Sequence, residues 1–201
     1  MYENTDKVLR GLNKQFIRLF RKINLLNIDE LNVVNQVVSV YKKADKLARK
    51  AYLDVAIFAY LFAAKEADYD VKEAPIDKDW VQDMLFEADS VTLYKYMPEW
   101  ARKRQRLIEA LAATKKPRQE ANKSLKYMVM QTSHYADKAT AQAALQAYKD
   151  AGVKRVIWQT ERDNKVCPEC APLDGKEFDI DKVPQIPRHY RCRCILKPVK
   201  D

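Results

Sequence analysis

All four cysteines of this 201-residue chain lie between residues 167 and 194, which constrains the fold of that segment strongly. They form a C-x-x-C pair, Cys167 and Cys170, and a C-x-C pair, Cys192 and Cys194, with His189 just before the second pair. Two ligand pairs from separate segments are typical of a closed structural zinc site made of four cysteines, or of three cysteines and a histidine. The pattern therefore predicts a small C-terminal unit folded around one structural zinc ion per chain.

Five candidate ligands compete for the four positions around such an ion. On an extended strand Cys192 and Cys194 point to the same side, with Cα atoms about 6.6 Å apart. Thiolates bound to one zinc ion have sulfurs about 3.8 Å apart, so a small bend lets both bind, and geometry does not choose between His189 and Cys194. Two disulfides or four packed free thiols are the alternatives to a metal. A catalytic metal is disfavoured, because a closed cysteine-rich site leaves no position for water.

Residues around the cysteines extend the pattern to W-x-T-x-x-D-x-x-x-C-x-x-C, then L-D-G, then P-x-H-x-x-C-R-C and a closing proline. The residues that carry it are Trp158, Thr160, Asp163, Cys167, Cys170, Leu173, Asp174, Gly175, Pro187, His189, Cys192, Arg193, Cys194 and Pro198. This pattern resembles the C-terminal domain of the phage Mu F-like family, which are minor head (head morphogenesis) proteins of tailed bacteriophages. Two positions depart from it: Tyr190 stands where many relatives have proline, and Met130-Gln131-Thr132 stands where an Arg-Thr-Glu-like triplet is expected.

The resemblance implies a structural, non-enzymatic component of a phage head, made in the host cytoplasm and incorporated into the virion near the portal. Its implied partners are portal or capsid proteins and packaged DNA, without a membrane or a small-molecule substrate. The resemblance is close over the last part of the chain, where residues 126–152 fit a helix that leads into the Cys/His unit. It divides the chain into a helical domain, residues 1–116, and a Mu F-like C-terminal domain, residues 117–201.

Glycine is scarce, with three in the chain, so tight turns are few and long helices are expected. A first helix is predicted over residues 4–26, where an apolar stripe consists of Leu9, Leu12, Phe16, Leu19, Ile23 and Leu26. A second helix is predicted from a cap at Asn27 or Asp29. Its coiled-coil-like apolar seam consists of Val34, Val37, Tyr41, Ala44, Ala48, Ala51, Val55, Phe58 and Phe62. An intramolecular bundle is favoured over a subunit interface.

The rest of the chain predicts shorter elements. An acidic loop over residues 65–79 is followed by a helix from about Asp77, and Pro98 separates this helix from one over residues 99–114. After a hinge at residues 115–118, a last helix is expected to stop at Gly152. Short strands are predicted over residues 153–160, 176–180 and 193–199. The fold class is therefore mainly α (α+β): an N-terminal bundle of long helices followed by a small zinc-clamped, β-rich C-terminal unit.

The formal net charge of +9 suggests a polyanionic or acidic partner, and a merely soluble basic surface is the open alternative. The basic residues are densest around the predicted hinge. The candidate nucleic-acid contacts are Arg102, Lys103, Arg104, Arg106, Lys115, Lys116 and Arg118. They suit phosphate groups, and they form no base-reading motif.

Three classes of function agree with these features. The first is the phage head protein that the resemblance implies. The second is a zinc-stabilised nucleic-acid-binding protein unrelated to capsids, which would bind DNA or RNA without a portal or capsid protein. The third is a metal-dependent nuclease, which would need an open metal position and a base, with Asp163, Glu161 and His189 as the candidates. No membrane span is expected, because the most apolar run, residues 51–64, contains Asp54 and is too short.

Overall fold

The computed structural model describes residues 2–26, 30–86 and 98–199. Its helices are α1 (Tyr2–Phe20), α2 (Glu30–Glu66), α3 (Lys78–Phe86), α4 (Pro98–Ala113) and α5 (Pro117–Asp150). Its strands are β1 (Arg155–Gln159), β2 (Glu177–Asp179) and β3 (Ile195–Pro198). A mainly helical chain with one small C-terminal sheet confirms the predicted fold class. Within the described ranges, no helix combines the length and the apolar character that crossing a bilayer requires.

Helices α2 and α5 lie side by side and run in the same direction. Contacts between them advance together along both helices: the Tyr41 hydroxyl lies 2.6 Å from that of Ser124, the Tyr52 and Tyr135 ring centroids are 6.0 Å apart, and the Tyr60 hydroxyl lies 2.6 Å from Asp150. Buried alanines, such as Ala44 and Ala48 of α2, let neighbouring helices approach closely. Helix α1 runs in the opposite direction, with its Thr5 hydroxyl 3.3 Å from that of Thr140.

The central seam of α2 is buried as predicted, from Val37 to Val55, whereas Val34, Phe58 and Phe62 at its two ends are half-buried. The second half of the helix is buried on several faces, since Tyr52, Ala59 and Tyr60 are also inside. Helix α2 contacts α1, α3, α4 and α5 of the same chain, as an intramolecular bundle requires. The predicted cap of α2, Asn27 or Asp29, lies outside the described residues.

The predicted first helix is too long at its C-terminal end. Helix α1 stops at Phe20, and Leu26, which the apolar stripe places in the core, is 99% exposed. The chain leaves the helical path because Asn24 forms a turn: its side chain accepts a hydrogen bond from the backbone N–H of Leu26, 3.1 Å away. Ile23 still reaches the core from this turn.

Later helix boundaries agree closely with the predictions. Asp77 caps α3 by accepting a hydrogen bond from the Trp80 backbone N–H at 2.8 Å. Helix α5 begins with Pro117 at its first turn, where a missing N–H costs nothing. After α5, Gly152 adopts φ +74°, a conformation that glycine takes without strain, and turns the chain toward the sheet.

The sheet has the order β2-β1-β3, and both pairings are antiparallel. Val156 and Trp158 of β1 and Leu196 of β3 are buried. The sheet is joined to the bundle through Glu66, the last residue of α2. Its carboxylate accepts a hydrogen bond from the Tyr148 hydroxyl at 2.7 Å and forms an ion pair with Lys197 of β3.

One hydrophobic core extends from the first helix to the last strand. The C-terminal unit therefore folds against α2 and α5, and its apolar face is covered by them. The division of the chain between residues 116 and 117 stays a prediction.

Candidate metal centre

The C-x-x-C pair forms a tight turn after β1. The backbone N–H groups of Cys170 and Ala171 both donate to the Cys167 carbonyl, at 3.1 and 3.0 Å. The Cys170 N–H also points at the Cys167 sulfur, 3.3 Å away. This turn continues into a single 3-10 turn, Ala171–Leu173. It presents both thiols from one short loop, as the spacing predicts.

The second ligand segment lies opposite this turn and brings all five predicted ligands together. His189 Nε2 is 2.9 Å from the Cys167 sulfur and 3.4 Å from the Cys170 sulfur. The sulfurs of Cys170 and Cys192 are 3.9 Å apart, close to the roughly 3.8 Å between thiolates that share a zinc ion. All four thiols are free, contrary to the two-disulfide alternative.

The ligand atoms fall into two groups of three, each with its atoms within 4.8 Å of one another. One group contains Cys167, Cys170 and His189, and the other contains Cys170, Cys192 and Cys194. Cys170 belongs to both groups, so it lies at the centre of the cluster. A set of thiolates and one imidazole suits a soft or borderline metal ion such as zinc. The cluster therefore fits a metal ion, with Cys170 common to either choice of ligands.

The thiols of the cluster differ in acidity because they crowd one another. Burial raises the pKa of Cys170 to about 12, and a hydrogen bond from Cys194 lowers the pKa of Cys192 to about 5. The hydrogen bond to Cys192 also raises the pKa of Cys194, while the neighbouring Trp158 indole lowers it. Metal binding has to release the protons of these thiols, so it is favoured as pH rises.

His189 is oriented by its neighbour. Its Nδ1 lies 2.8 Å from the Tyr190 carbonyl oxygen and donates to it, which directs Nε2 to the sulfurs. This hydrogen bond is the main cause that raises the pKa of His189. The Tyr190 ring packs on His134 of α5 with centroids 4.3 Å apart, and its hydroxyl donates to Gln131 at 2.7 Å.

Sequence reasoning missed this attachment of the metal loop to α5. Tyr190 is one of the two departures from the family pattern, and Gln131 lies in the other, the triplet Met130-Gln131-Thr132. The two residues are hydrogen-bonded to each other across 59 positions. The departures themselves were the available signal, because two exceptions in one motif suggest a shared cause.

Asp163 connects the two ligand segments. Its carboxylate forms a two-point ion pair with the Arg193 guanidinium, with both N–O distances 2.7 Å. Arg193 lowers the pKa of Asp163 to about 2, so this carboxylate is a poor general base at neutral pH. Its oxygen also accepts the Lys165 backbone N–H at 3.0 Å, which orders the turn before Cys167.

The Thr160 and Asp174 positions of the motif form a second connection. Asp174 accepts hydrogen bonds from the Thr160 backbone N–H at 2.8 Å and from its hydroxyl at 3.1 Å. The hydrogen bond from the Thr160 backbone N–H contributes most to lowering the pKa of Asp174. Gly175 follows with φ +75° and donates its N–H to the Trp158 carbonyl at 2.8 Å. These residues fix the loop that carries the C-x-x-C turn.

The predicted nucleic-acid contacts lie on α4 and at the connection to α5, outside the Cys/His unit. Arg102 and Arg106 are exposed on α4, and Lys103 is half-buried, with its Nζ 4.0 Å from the centroid of the Tyr127 ring. Arg104 is half-buried beside Tyr41. The remaining three, Lys115, Lys116 and Arg118, are exposed. Their role in binding nucleic acid stays a prediction.

Residues 103–197 match the family described as Phage Mu protein F like protein. The match begins inside α4, ends in β3 and includes α5 and all five candidate ligands. No curated protein and no solved structure matches the chain significantly. At the level of the family, the match supports a phage head morphogenesis protein. The C-terminal part of the chain, residues 103–197, is therefore a Phage Mu protein F-like domain.

Proposed function

We propose that this protein is a minor head protein of a tailed bacteriophage, a structural component that is made in the host cytoplasm and carried in the virion head near the portal. The observation that carries the proposal is the family match over residues 103–197. Its direct partners are portal or capsid proteins. A structural role agrees with a family of phage head proteins and needs no reaction at the Cys/His cluster.

The Cys/His cluster holds one structural zinc ion per chain in this proposal. Its ligands are four of Cys167, Cys170, His189, Cys192 and Cys194, and Cys170 is in the set in every case. When bound, the ion supplies cross-links between the C-x-x-C turn and the segment before β3. The chain's own residues prepare this arrangement: Tyr190 orients His189, and Asp163 holds the segment that carries Arg193.

Packaged DNA is the third proposed partner. The candidate contacts on α4 and the hinge, Arg102, Lys103, Arg104, Arg106, Lys115, Lys116 and Arg118, carry charge on more than one side of the helix, which suits phosphates. Such contacts position a protein on DNA without reading its sequence.

Virion composition tests the head role. Particles purified from infected cells should contain this polypeptide in stoichiometric, low copy number, and DNA-free heads assembled without it should differ in yield or in portal content. A chain with a Cys170→Ser substitution should be lost from particles, whereas a chain with Thr114→Ser, a conservative change just after α4, should be retained. Particles of normal composition and infectivity that lack the polypeptide would overturn the proposal.

A zinc-stabilised nucleic-acid-binding protein unrelated to capsids is the second candidate. The concentration of basic residues favours it, since the chain has 37 Lys and Arg against 28 Asp and Glu. It predicts binding to DNA or RNA alone, with a steep salt dependence and no affinity for portal or capsid proteins. A nuclease is favoured less, because the Asp163 carboxylate is paired with Arg193 and is a poor base.

A further inference from the structure

Helix α1 carries a row of cations that the function proposed above does not use. The spacing of three and four residues places them on one face of the helix, opposite the buried Leu9, Leu12 and Phe16. The row consists of Lys7, Arg10, Lys14 and Arg18. All four are exposed, and within residues 2–26, 30–86 and 98–199 none of them forms an ion pair.

The row on α1 ends where three other basic helices meet. Phe16 packs edge-on against Trp100 of α4 with centroids 6.0 Å apart, and Trp100 packs in the same way on Tyr41 of α2 at 6.2 Å. The first turns of α5 reach the same place, since Tyr41 contacts Ser124. On α2 the exposed Lys42 lines a shallow depression together with Arg104.

Basic residues are therefore concentrated at one end of the bundle and acidic residues at the other. Residues 7–22, 31–50 and 98–126, which form the end described above, contain twenty Lys and Arg against four Asp and Glu. Residues 66–77, before α3 folds back along α2, contain five Asp and Glu against one Lys. That acidic segment follows the far end of α2, a helix of 37 residues and about 55 Å.

The geometry of the row suits a regular polyanion. From Lys7 to Arg18 it extends about 16 Å at 1.5 Å per residue. One strand of duplex DNA presents a phosphate about every 3.4 Å along its axis, so the row faces four or five phosphates. An acidic protein would need carboxylates at matching places, whereas a DNA strand offers charge wherever the row contacts it.

We propose that the cation row of α1 is a second DNA-backbone contact, and that duplex DNA follows α1 at the basic end of the bundle, beside α4. The inference rests on the DNA contact proposed above and adds a second helix to it. It also orients the molecule: the acidic segment, residues 66–77, lies at the far end of α2, away from the DNA. Binding is independent of base sequence, because the contacts are made to phosphates.

Binding of the full chain to a fluorescent 24-base-pair duplex, followed by anisotropy over a series of salt concentrations, tests the proposal. Replacing Lys7, Arg10, Lys14 and Arg18 together by Gln should lower the slope of log Kd against log salt by about three to four, and affinity at low salt should fall about a hundredfold or more. The control replaces Lys72, Lys78, Lys154 and Lys176 by Gln. These lysines are exposed, and the same loss of charge should leave the slope unchanged.

Each alternative outcome is distinct. If the α1 variant keeps the slope of the native chain while Arg102→Gln/Arg106→Gln lowers it, DNA contacts α4 alone and the inference is wrong. An equal fall of the slope in the control variant would show that binding depends on the net charge of the chain and not on the α1 surface. If the native chain does not bind the duplex but binds an acidic protein, the row is a protein-docking surface. None of these outcomes bears on virion composition, so the head role is judged separately.

A measurement on the native chain removes any dependence on folding of the variants. Acetylation of Lys7 and Lys14 by a lysine-specific reagent, followed by mass spectrometry, should slow severalfold when the duplex is bound. Lys72 and Lys176 should react at the same rate with and without DNA. Unprotected Lys7 and Lys14 in a saturated complex would overturn the inference.

Discussion

The helical bundle and the Cys/His unit are held together by different kinds of interaction. In the bundle, apolar side chains such as Phe16 and Leu111 are buried between helices, so its stability rests on area removed from water. In the Cys/His unit, strands of three to five residues form a small backbone-paired sheet, and its loops are joined by ion pairs, side-chain hydrogen bonds and a cluster of thiols. The bundle should therefore tolerate changes of metal and charge that the Cys/His unit does not.

Removing the metal should give the largest difference in stability between the helical bundle and the Cys/His unit. Structural zinc contributes on the order of 10 kcal/mol to folding of the units that bind it, so a chelator should disorder the Cys/His unit while α1 to α5 persist. The expected signs are a red-shifted emission from Trp158, which is fully buried beside Cys194, and little loss of helical circular dichroism.

The choice of ligands can be sharpened with single substitutions. Cys170→Ser should abolish metal binding, because Cys170 is common to both groups of ligand atoms. If either Cys194 or His189 is not a ligand, the variant at that residue, Cys194→Ser or His189→Ala, should still contain one zinc ion per chain by elemental analysis. A native chain that contains no metal, with four reactive thiols, would show that the cluster is a packed set of free cysteines.

A large-to-small substitution in the bundle should give the opposite pattern. Phe16 is fully buried and packs on Trp100, so Phe16→Ala should lower the free energy of unfolding by about 3–5 kcal/mol. Zinc content should not change. Ile17→Ala on the exposed side of the same helix is the matched control and should have little effect. Loss of zinc from the Phe16 variant would mean that the two regions fold as one unit.

Removal of the Tyr190 hydroxyl should have a smaller effect at the boundary between the regions. Gln131 is 2% exposed and accepts the hydrogen bond from this hydroxyl. Tyr190→Phe should therefore cost about 1–3 kcal/mol in urea unfolding, because a buried acceptor loses a donor. Tyr69→Phe, at an exposed tyrosine, serves as the control. A double-mutant cycle with Gln131→Leu should give a coupling energy of similar size, and a coupling near zero would contradict the contact.

Asp163→Asn should have the smallest effect on stability, since the pair with Arg193 is exposed and exposed pairs contribute little. Its effect should appear instead in the rate at which a chelator removes zinc, which we expect to rise severalfold as the two ligand segments separate. Asp181→Asn removes the same charge from an exposed ion pair with Lys149 and should leave that rate unchanged. Equal rates in both variants would show that the Arg193 pair does not restrain the metal loop.

Local patterns predicted the elements and the composition of the cluster well. The spacing of apolar residues predicted α2, because burial of one helix face requires that spacing. The spacing of the cysteines predicted that the five candidate ligands lie close together, as they do. The same rule failed at Leu26, because apolar periodicity continues past Phe20 although Asn24 turns the backbone. Contacts between residues far apart in the sequence could not be predicted. The Tyr148–Glu66 hydrogen bond joins residues 82 positions apart, and no local pattern at either residue indicates its partner.

The junction at Glu66 also sets a path for mechanical force. A pull on β3 is transmitted through the Lys197 ammonium to the Glu66 carboxylate, and from there along the whole axis of α2. The hydroxyl of Tyr148 shares the load with α5. Tension on β3 is therefore shared between its pairing with β1 and its contacts to α2 and α5, the two longest helices among the described residues.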